Sequence, residues 1–301
     1  MNTYYSHGKL LLTAEYLVLD GAQALALPTK KGQSLEVHSQ HSSNLHWKSV
    51  LEDGSVWFET SFKLPLQESF TSQDKIIQRL HDILKAAQQL NPEFLKIDQG
   101  LNVVSTLEFA QNWGLGSSST LISNIARWAN VNAYTLLKNT FGGSGYDIAC
   151  ATNENAIVYS NNKNTPLVKS VNFNPDFKDQ LFFVHLNRKQ NSRKSIQHYR
   201  SLDPSSLKNK ISYFTDLTLQ IVNSNSLNHF ERLLNKHEDQ LSEILQTPTI
   251  KSQLFEDYSH TVKSLGGWGG DFVLTTGTPQ EMEYFKDKGY NTIVSYQDMI
   301  L

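Results

Sequence analysis

Gly114-Leu115-Gly116-Ser117-Ser118-Ser119 stands between an apolar stretch that reads as a strand, Leu101 to Phe109, and a stretch of helical periodicity, Thr120 to Ala129. Glycine lets a backbone approach a ligand closely. The first turn of a helix leaves several N–H groups without partners. Those donors, with the positive end of the helix dipole of roughly half a charge, make an anion site. Serine hydroxyls at the helix start add donors or reach a magnesium ion. A plainer reading stays open, in which one serine merely caps the helix. The turn is not a P-loop, because no lysine follows its second glycine, and no Gly-x-Gly-x-x-Gly follows the first strand.

Three more stretches stand in order around it. Near the start, Gly8-Lys9-Leu10-Leu11-Leu12-Thr13-Ala14-Glu15-Tyr16-Leu17-Val18-Leu19-Asp20-Gly21 places Gly-Lys before an apolar strand and ends in a glycine. Beyond the serine helix, Ser144-Gly145-Tyr146-Asp147-Ile148-Ala149 sets a carboxylate just after a glycine. Near the end, Gly266-Gly267-Trp268-Gly269-Gly270-Asp271 puts four glycines into five positions, a density that suggests close backbone approach. Taken singly, Lys9 reads as a surface lysine, Asp147 as a helix cap and the last stretch as a plain turn.

In this order the four stretches resemble the motifs of the galacto-, homoserine-, mevalonate- and phosphomevalonate-kinase (GHMP) superfamily, from Gly8 to Asp271. The turn matches that family's Pro-x-x-x-Gly-Leu-Gly-Ser-Ser-Ala through Ser118, with Ala110 at the proline position. Ser144 to Ala149 looks like the Ser-Gly-x-Asp-x-Ala segment of mevalonate and phosphomevalonate kinases, and its tyrosine, with the Gly-Gly-Asp ending of the last stretch, leans toward the phosphomevalonate kinases. The resemblance marks a divergent Gly-Tyr-Asp-Ile-Ala branch.

The resemblance implies an α+β fold in two domains, a ribosomal-protein-like one over residues 1–165 and a ferredoxin-like one over 166–301. It implies transfer of a phosphoryl group from ATP, with Mg2+, to a small acidic substrate. Gly114, Leu115, Gly116, Ser117, Ser118 and Ser119 would cradle the ATP phosphates, together with Gly266, Gly267, Gly269 and Gly270. Ser118 would ligate the metal. Asp147 would take the acceptor's hydroxyl proton or orient the nucleophile, and Lys9, its family neighbour, would hold Asp147 ionised and stabilise the transferring group. Glu15 is expected on the substrate side. So are Ser192, Arg193 and Lys194, in a turn with four cations in seven residues, Arg188 to Lys194. That turn could hold a carboxylate or phosphate, or be a solvated basic turn.

Departures from the family are specific. Ala14 and Trp268 stand where glycines are usual, and from Leu121 to Tyr146 there is no Asp or Glu, although many members use a metal-binding glutamate there. A member without catalysis, which only binds a nucleotide or an acidic metabolite, is the alternative.

The rest of the chain fits a globular protein. Of 301 residues, 39% are hydrophobic and 19% charged, enough to build a substantial core. The net charge of −2 gives no basic excess, so nucleic acid is not an expected partner. One cysteine, Cys150, excludes an intrachain disulfide and fits a reducing compartment. No apolar run nears the roughly 18 residues of a membrane span. With neither signal peptide nor anchor read at the N-terminus, a cytoplasmic location is expected. Strands are expected over Thr3–Leu12, Gln33–His38, Asn44–Val50 and Ser55–Thr60, and helices over Gln73–Gln88 and through Leu207–Leu217 and Phe230–Leu245. Gln180–Leu186, Asp271–Thr275 and Thr292–Tyr296 read as further strands, and Gln280–Lys288 as a helix. The Asn-rich stretch Ser160–Thr165 is the expected domain boundary.

Overall fold

Strands β3 (Asn44–Val50) and β5 (Gly100–Leu107) alternate buried and half-buried residues, as strands covered on one face do. The computed structural model describes residues 1–96, 99–162, 165–189, 192–203 and 207–301, without the side chains of Ser192, Arg193 and Lys208. The chain divides into two compact units. Unit 1 comprises residues 1–8, 31–111 and 116–152, and unit 2 comprises 9–30, 112–115 and 153–301. β1 (Asn2–Leu11) and β2 (Ala24–Gln40) each contribute residues to both.

In unit 1 the strand order is β4 (Val56–Lys63), β3, β5, β2, with β3 and β5 parallel and the other neighbours antiparallel. Leu45, Trp47, Leu101 and Val103 from the strands meet Leu80, Ile83 and Leu84 of α1 (Lys75–Leu90) and Ile122, Ile125 and Ala126 of α2 (Ser117–Ala129). The helix α1 starts where Asp74 accepts from the N–H groups of Ile76 and Ile77. Helices α3 (Ala133–Thr140) and α4 (Tyr146–Thr152) follow, and α4 packs against α2.

In unit 2 the first part of β2 pairs with β6 (Ile157–Asn162), which forms a hairpin with β7 (Thr165–Ser170). Ser160–Thr165 thus spans the end of β6 and the start of β7, with residues 163–164 outside the described ones. Then come β8 (Leu181–His185), α5 (Ser192–Arg200), α6 (Lys208–Val222), α7 (Leu227–Leu245), α8 (Ile250–Leu254), β9 (Val262–Ser264), β10 (Phe272–Thr276), α9 (Glu283–Asp287), β11 (Ile293–Ser295) and α10 (Tyr296–Met299). Their sheet has the order β11-β8-β10-β9, all antiparallel, which is the ferredoxin-like arrangement expected of this part. β8, β9 and β10 are buried throughout, as strands covered on both faces must be. Phe255, Tyr258 and Phe285 pack on one face; α7 lies against β9.

Several elements differ from the sequence expectation, two of them for visible reasons. β2 begins at Ala24 rather than Gln33, because Ala24 to Leu27 is uniformly buried and lacks the alternation that signals a strand. The helix α3 was not expected at all; only Asn132, whose side chain accepts from Thr135 N–H, announces it.

Candidate active site

In unit 1, Gly116 is the N-cap of α2, at φ 91, and no side chain caps the helix. A left-handed residue with no side chain leaves the first-turn N–H groups for a ligand. The buried face of α2 is pinned by polar contacts. Asn124 Nδ2 donates to the Gln33 carbonyl at 2.8 Å, Thr120 Oγ1 donates to Gln33 Oε1, and Ser6 Oγ donates to Asn124 Oδ1 at 2.8 Å. These bonds fix the register of the helix, and so the aim of its N-terminus. Ser118 is exposed and Ser117 half-buried at that end. Ser119 is buried and spends its hydroxyl on the Gly116 carbonyl at 2.8 Å, leaving only its backbone N–H to offer.

Asp147 lies in the first turn of α4, half-buried, on the helix that packs against α2. Gly142, Gly143 and Gly145 precede it at φ 69, 111 and 88, and a side chain at Gly142 or Gly143 would meet open space. Tyr134 on α3 faces the same helix. Its burial first, then the nearby Cys150 and Asp147, push the phenol up to about 12.

In unit 2, Lys9 holds the beginning of the turn. Its N–H donates to the Leu115 carbonyl at 3.0 Å and its Nζ to the Gly114 carbonyl at 2.8 Å. The Leu115 side chain is fully buried. A β-carbon at Gly114, φ 67, would overlap the Asp271 carboxyl group, so glycine here admits a neighbouring side chain. Asp271, itself at φ 54, donates its N–H to the Arg188 carbonyl at 2.9 Å. Ser195 Oγ donates to the Gly267 carbonyl at 3.2 Å, and Gly269 lies beside the Arg188 guanidinium. The structure therefore brings the loop Gly266–Asp271, Gly114, Lys9 and the basic turn together within one unit. Lys194 is exposed on α5, whereas the side chains of Ser192 and Arg193 lie outside the described residues.

Glu15 needs correction. It was expected to meet substrate, but it is buried at 1% exposure and its Oε1 accepts from Lys263 Nζ at 2.6 Å. The partners were missed in the sequence. Lys263 on β9 also donates to Glu238 Oε1 at 3.2 Å and to the Ser264 carbonyl at 2.9 Å. Glu238 Oε2 accepts the Ser264 N–H at 3.0 Å, and His237 Nε2 accepts the Ala14 N–H at 2.8 Å. Burial, only partly offset by Lys263, pushes the Glu15 carboxyl up to about 7 and also raises Glu238. Burial alone would lower Lys263, but the two carboxylates outweigh it and hold the ammonium charged. Burial, helped by Lys263, keeps His237 neutral. A signal existed: His237 and Glu238 fall on the apolar stripe of α7 with Phe230, Leu233, Leu234 and Leu241.

No family model matches the sequence, and no curated protein matches it. Solved structures do. The Methanococcus jannaschii mevalonate kinase is 15% identical with a TM-score of 0.72, covering 97% of this chain and 96% of its own. The Streptococcus pneumoniae phosphomevalonate kinase, in complex with phosphomevalonate and AMPPNP, is 14% identical with a TM-score of 0.71, covering 98% of this chain and all of its own (100%). The Lactococcus lactis galactokinase, complexed with galactose, is 12% identical with a TM-score of 0.72, covering 99% of this chain and 93% of its own. The chain has the GHMP kinase fold. Within that fold the four sequence stretches occupy a strand, a helix start, a short helix and a loop beside β10. Among the described residues no helix is long and apolar enough to cross a membrane.

Proposed function

We propose that the chain is an ATP-dependent kinase of a small acidic isoprenoid precursor, phosphomevalonate or mevalonate. The observation that carries this reading is the GHMP fold with an uncapped, glycine-started α2 packed against the helix that presents Asp147. Gly116 brings no side chain to compete for the first-turn donors, so a phosphate fits there. Ser118, exposed at the same end, offers a hard oxygen suited to magnesium. Among the described residues no group of three His, Cys, Asp or Glu could hold a metal. Mg2+ would then rest on Ser118, water and the nucleotide, and when bound would neutralise charge on the transferring phosphoryl group.

Asp147 accepts the acceptor's hydroxyl proton, a contribution of typically 10²–10⁴-fold. Lys9 orders the start of the turn through Gly114 and supplies a cation. The glycines Gly266, Gly267, Gly269 and Gly270 complete the nucleotide contacts. Lys194, with Ser192 and Arg193, holds the acceptor's acidic group. On this reading residues 1–165 supply the turn and the base, residues 166–301 supply the acceptor side, and the protein works in the cytoplasm. The phosphomevalonate kinase with AMPPNP and phosphomevalonate supports the choice of substrates.

A second reading has its own observation. Leu121 to Tyr146 contains no carboxylate to share the metal, which suits a fold that binds without turning over. An ATP-consumption screen with Mg2+ against mevalonate, phosphomevalonate, homoserine and galactose separates the two. Turnover with mevalonate or phosphomevalonate is the expected result. ATP binding with no turnover on any acceptor would establish the second reading.

A further inference from the structure

Two segments of unit 2 run between the same two fixed points. One is the end of β1 and its turn, Lys9 to Glu15; the other leads from β9 through the glycine loop, Lys263 to Asp271. At one end Lys9 Nζ holds the Gly114 carbonyl, and Gly114 in turn lies against the Asp271 carboxyl group. At the other end Lys263 Nζ meets Glu15 Oε1 at 2.6 Å, fully buried. The result is a closed ladder with a rung at each end.

The buried rung bears on strained backbone. Ala14 and Tyr16 sit at φ 56 and 65, a region that residues with a β-carbon avoid, so their surroundings must hold them there. His237 takes the Ala14 N–H and Lys263 takes the intervening Glu15. On the other side, Trp268 and Asp271 are also left-handed, at φ 46 and 54, in a loop whose first strand residues are fixed by Lys263 and Glu238. All three ammonium donors of Lys263 are used, two on carboxylates and one on the Ser264 carbonyl, so the geometry is specified.

We propose that Glu15 and Lys263 are positioning residues whose buried contact sets the strand bearing Lys9 in register with the loop Gly266–Asp271. The proposal rests on the reading of that loop as a nucleotide-phosphate element. The strength of the rung depends on the charge of Glu15. Ionised, it accepts a charge-assisted bond but is a buried charge, and burial outweighs Lys263; protonated, it offers Lys263 a neutral oxygen without that cost. The groups that face it are Lys263 on β9 and His237 and Glu238 on α7. His237 stays neutral and Lys263 stays charged, while burial raises both carboxyls, so Glu15 and Glu238 titrate as a pair and Glu15→Gln isolates the share of Glu15.

The test uses the full chain and Glu15→Gln, which keeps the accepting oxygen and removes the charge. Because one ammonium faces two carboxylates, this variant leaves a balanced Lys263–Glu238 pair and should fold. Protection factors for amide hydrogen exchange in residues 9–16 and 263–271 are compared at about pH 8 and about pH 5.5. The expected result is wild-type protection roughly tenfold lower at the higher pH than at the lower, because opening exposes a carboxyl that the fold holds protonated, with protection in Glu15→Gln unchanged between the two. A fluorescent ATP analogue with Mg2+ should follow, binding roughly tenfold more weakly to the wild type than to the variant at the higher pH only. The analogue's own phosphate titrates nearby, so the ratio of the two Kd values is the quantity read. Equal protection in both proteins at both pH values overturns the proposal. If the variant does not fold, loss of wild-type protection between the two pH values decides alone, and its absence overturns the proposal. Protection that responds while the wild type binds no analogue leaves the rung standing and brings down the nucleotide reading instead.

Discussion

The two glycine loops of this fold look alike in sequence and are held in different ways. In Gly114–Ser119 the left-handed positions, φ 67 and 91, are both glycines, and a helix begins at once. In Gly266–Asp271 the left-handed positions include Trp268 and Asp271 as well as Gly266 and Gly269. A residue with a β-carbon costs of order 1–3 kcal/mol in such a conformation unless its surroundings compensate. The first loop is shaped by its own residues. The second depends on its neighbours: the Arg188 carbonyl, Ser195 and the buried Lys263 with its two glutamates. Glycine content therefore does not say what a loop is for. Gly114 is glycine because of Asp271, whereas Gly116 opens an anion-ready helix.

The largest test of that contrast concerns the chemistry served by the first loop. Asp147→Asn keeps shape and hydrogen bonding but loses the basic oxygen. A catalytic Asp147 predicts a fall in kcat of about 10²–10⁴ with nearly constant ATP affinity. If Asp147 serves only as a negative charge in the first turn of α4, Asn costs at most about 1 kcal/mol of stability and leaves kcat unchanged. Steady-state kinetics on a stable variant decides.

Gly114→Ala probes the junction of the two loops. The added methyl overlaps the Asp271 carboxyl group and also sits at φ 67, so stability should drop by about 3 kcal/mol in urea unfolding. Asp271→Gly in the same chain should recover the overlap part of that loss. No recovery would mean that the cost lies in the backbone alone.

Much of this could be read from the sequence, and the limit has a physical reason. β3 has its expected bounds because Leu45, Trp47 and Ser49 alternate with half-buried neighbours, a local signal. The four motif stretches were legible because glycines, Lys9 and Asp147 occur in a fixed local order. Glu15 was placed on the substrate side because nothing local reveals its partner. Lys263 lies 248 residues away, and only folding brings the two together. His237 and Glu238 on the apolar stripe of α7 were the one clue, a titratable pair where a helix should bury leucines.

A smaller effect is expected at the basic turn beside the second loop. Lys194→Ala should raise the acceptor KM by about tenfold or more, the loss of one charge-assisted bond, while the ATP KM changes little. Equal changes in both constants, or none, would return Lys194 to a solvated turn.

The smallest effect concerns stability against pH. Glu15 has an ordinary value of 4.5 and is pushed up to about 7 in the fold, chiefly by burial. Between those values the folded protein binds more protons than the unfolded chain, so stability is greatest below about 4.5 and is lost as pH rises through 7. Glu15→Gln removes this titration and the cost of burying a charge. Its melting temperature should exceed the wild type's by a few degrees at about pH 8, on the order of 1 kcal/mol after allowing for the coupled titration of Glu238. The two proteins should converge near pH 4.5, where Glu15 is protonated in the fold. The same substitution is expected to steady the loop Gly266–Asp271 at high pH, so global stability and local order should move together. A variant less stable than the wild type at high pH would mean that the ionised pair stabilises the fold outright, and that the second loop is held more cheaply than its left-handed residues imply.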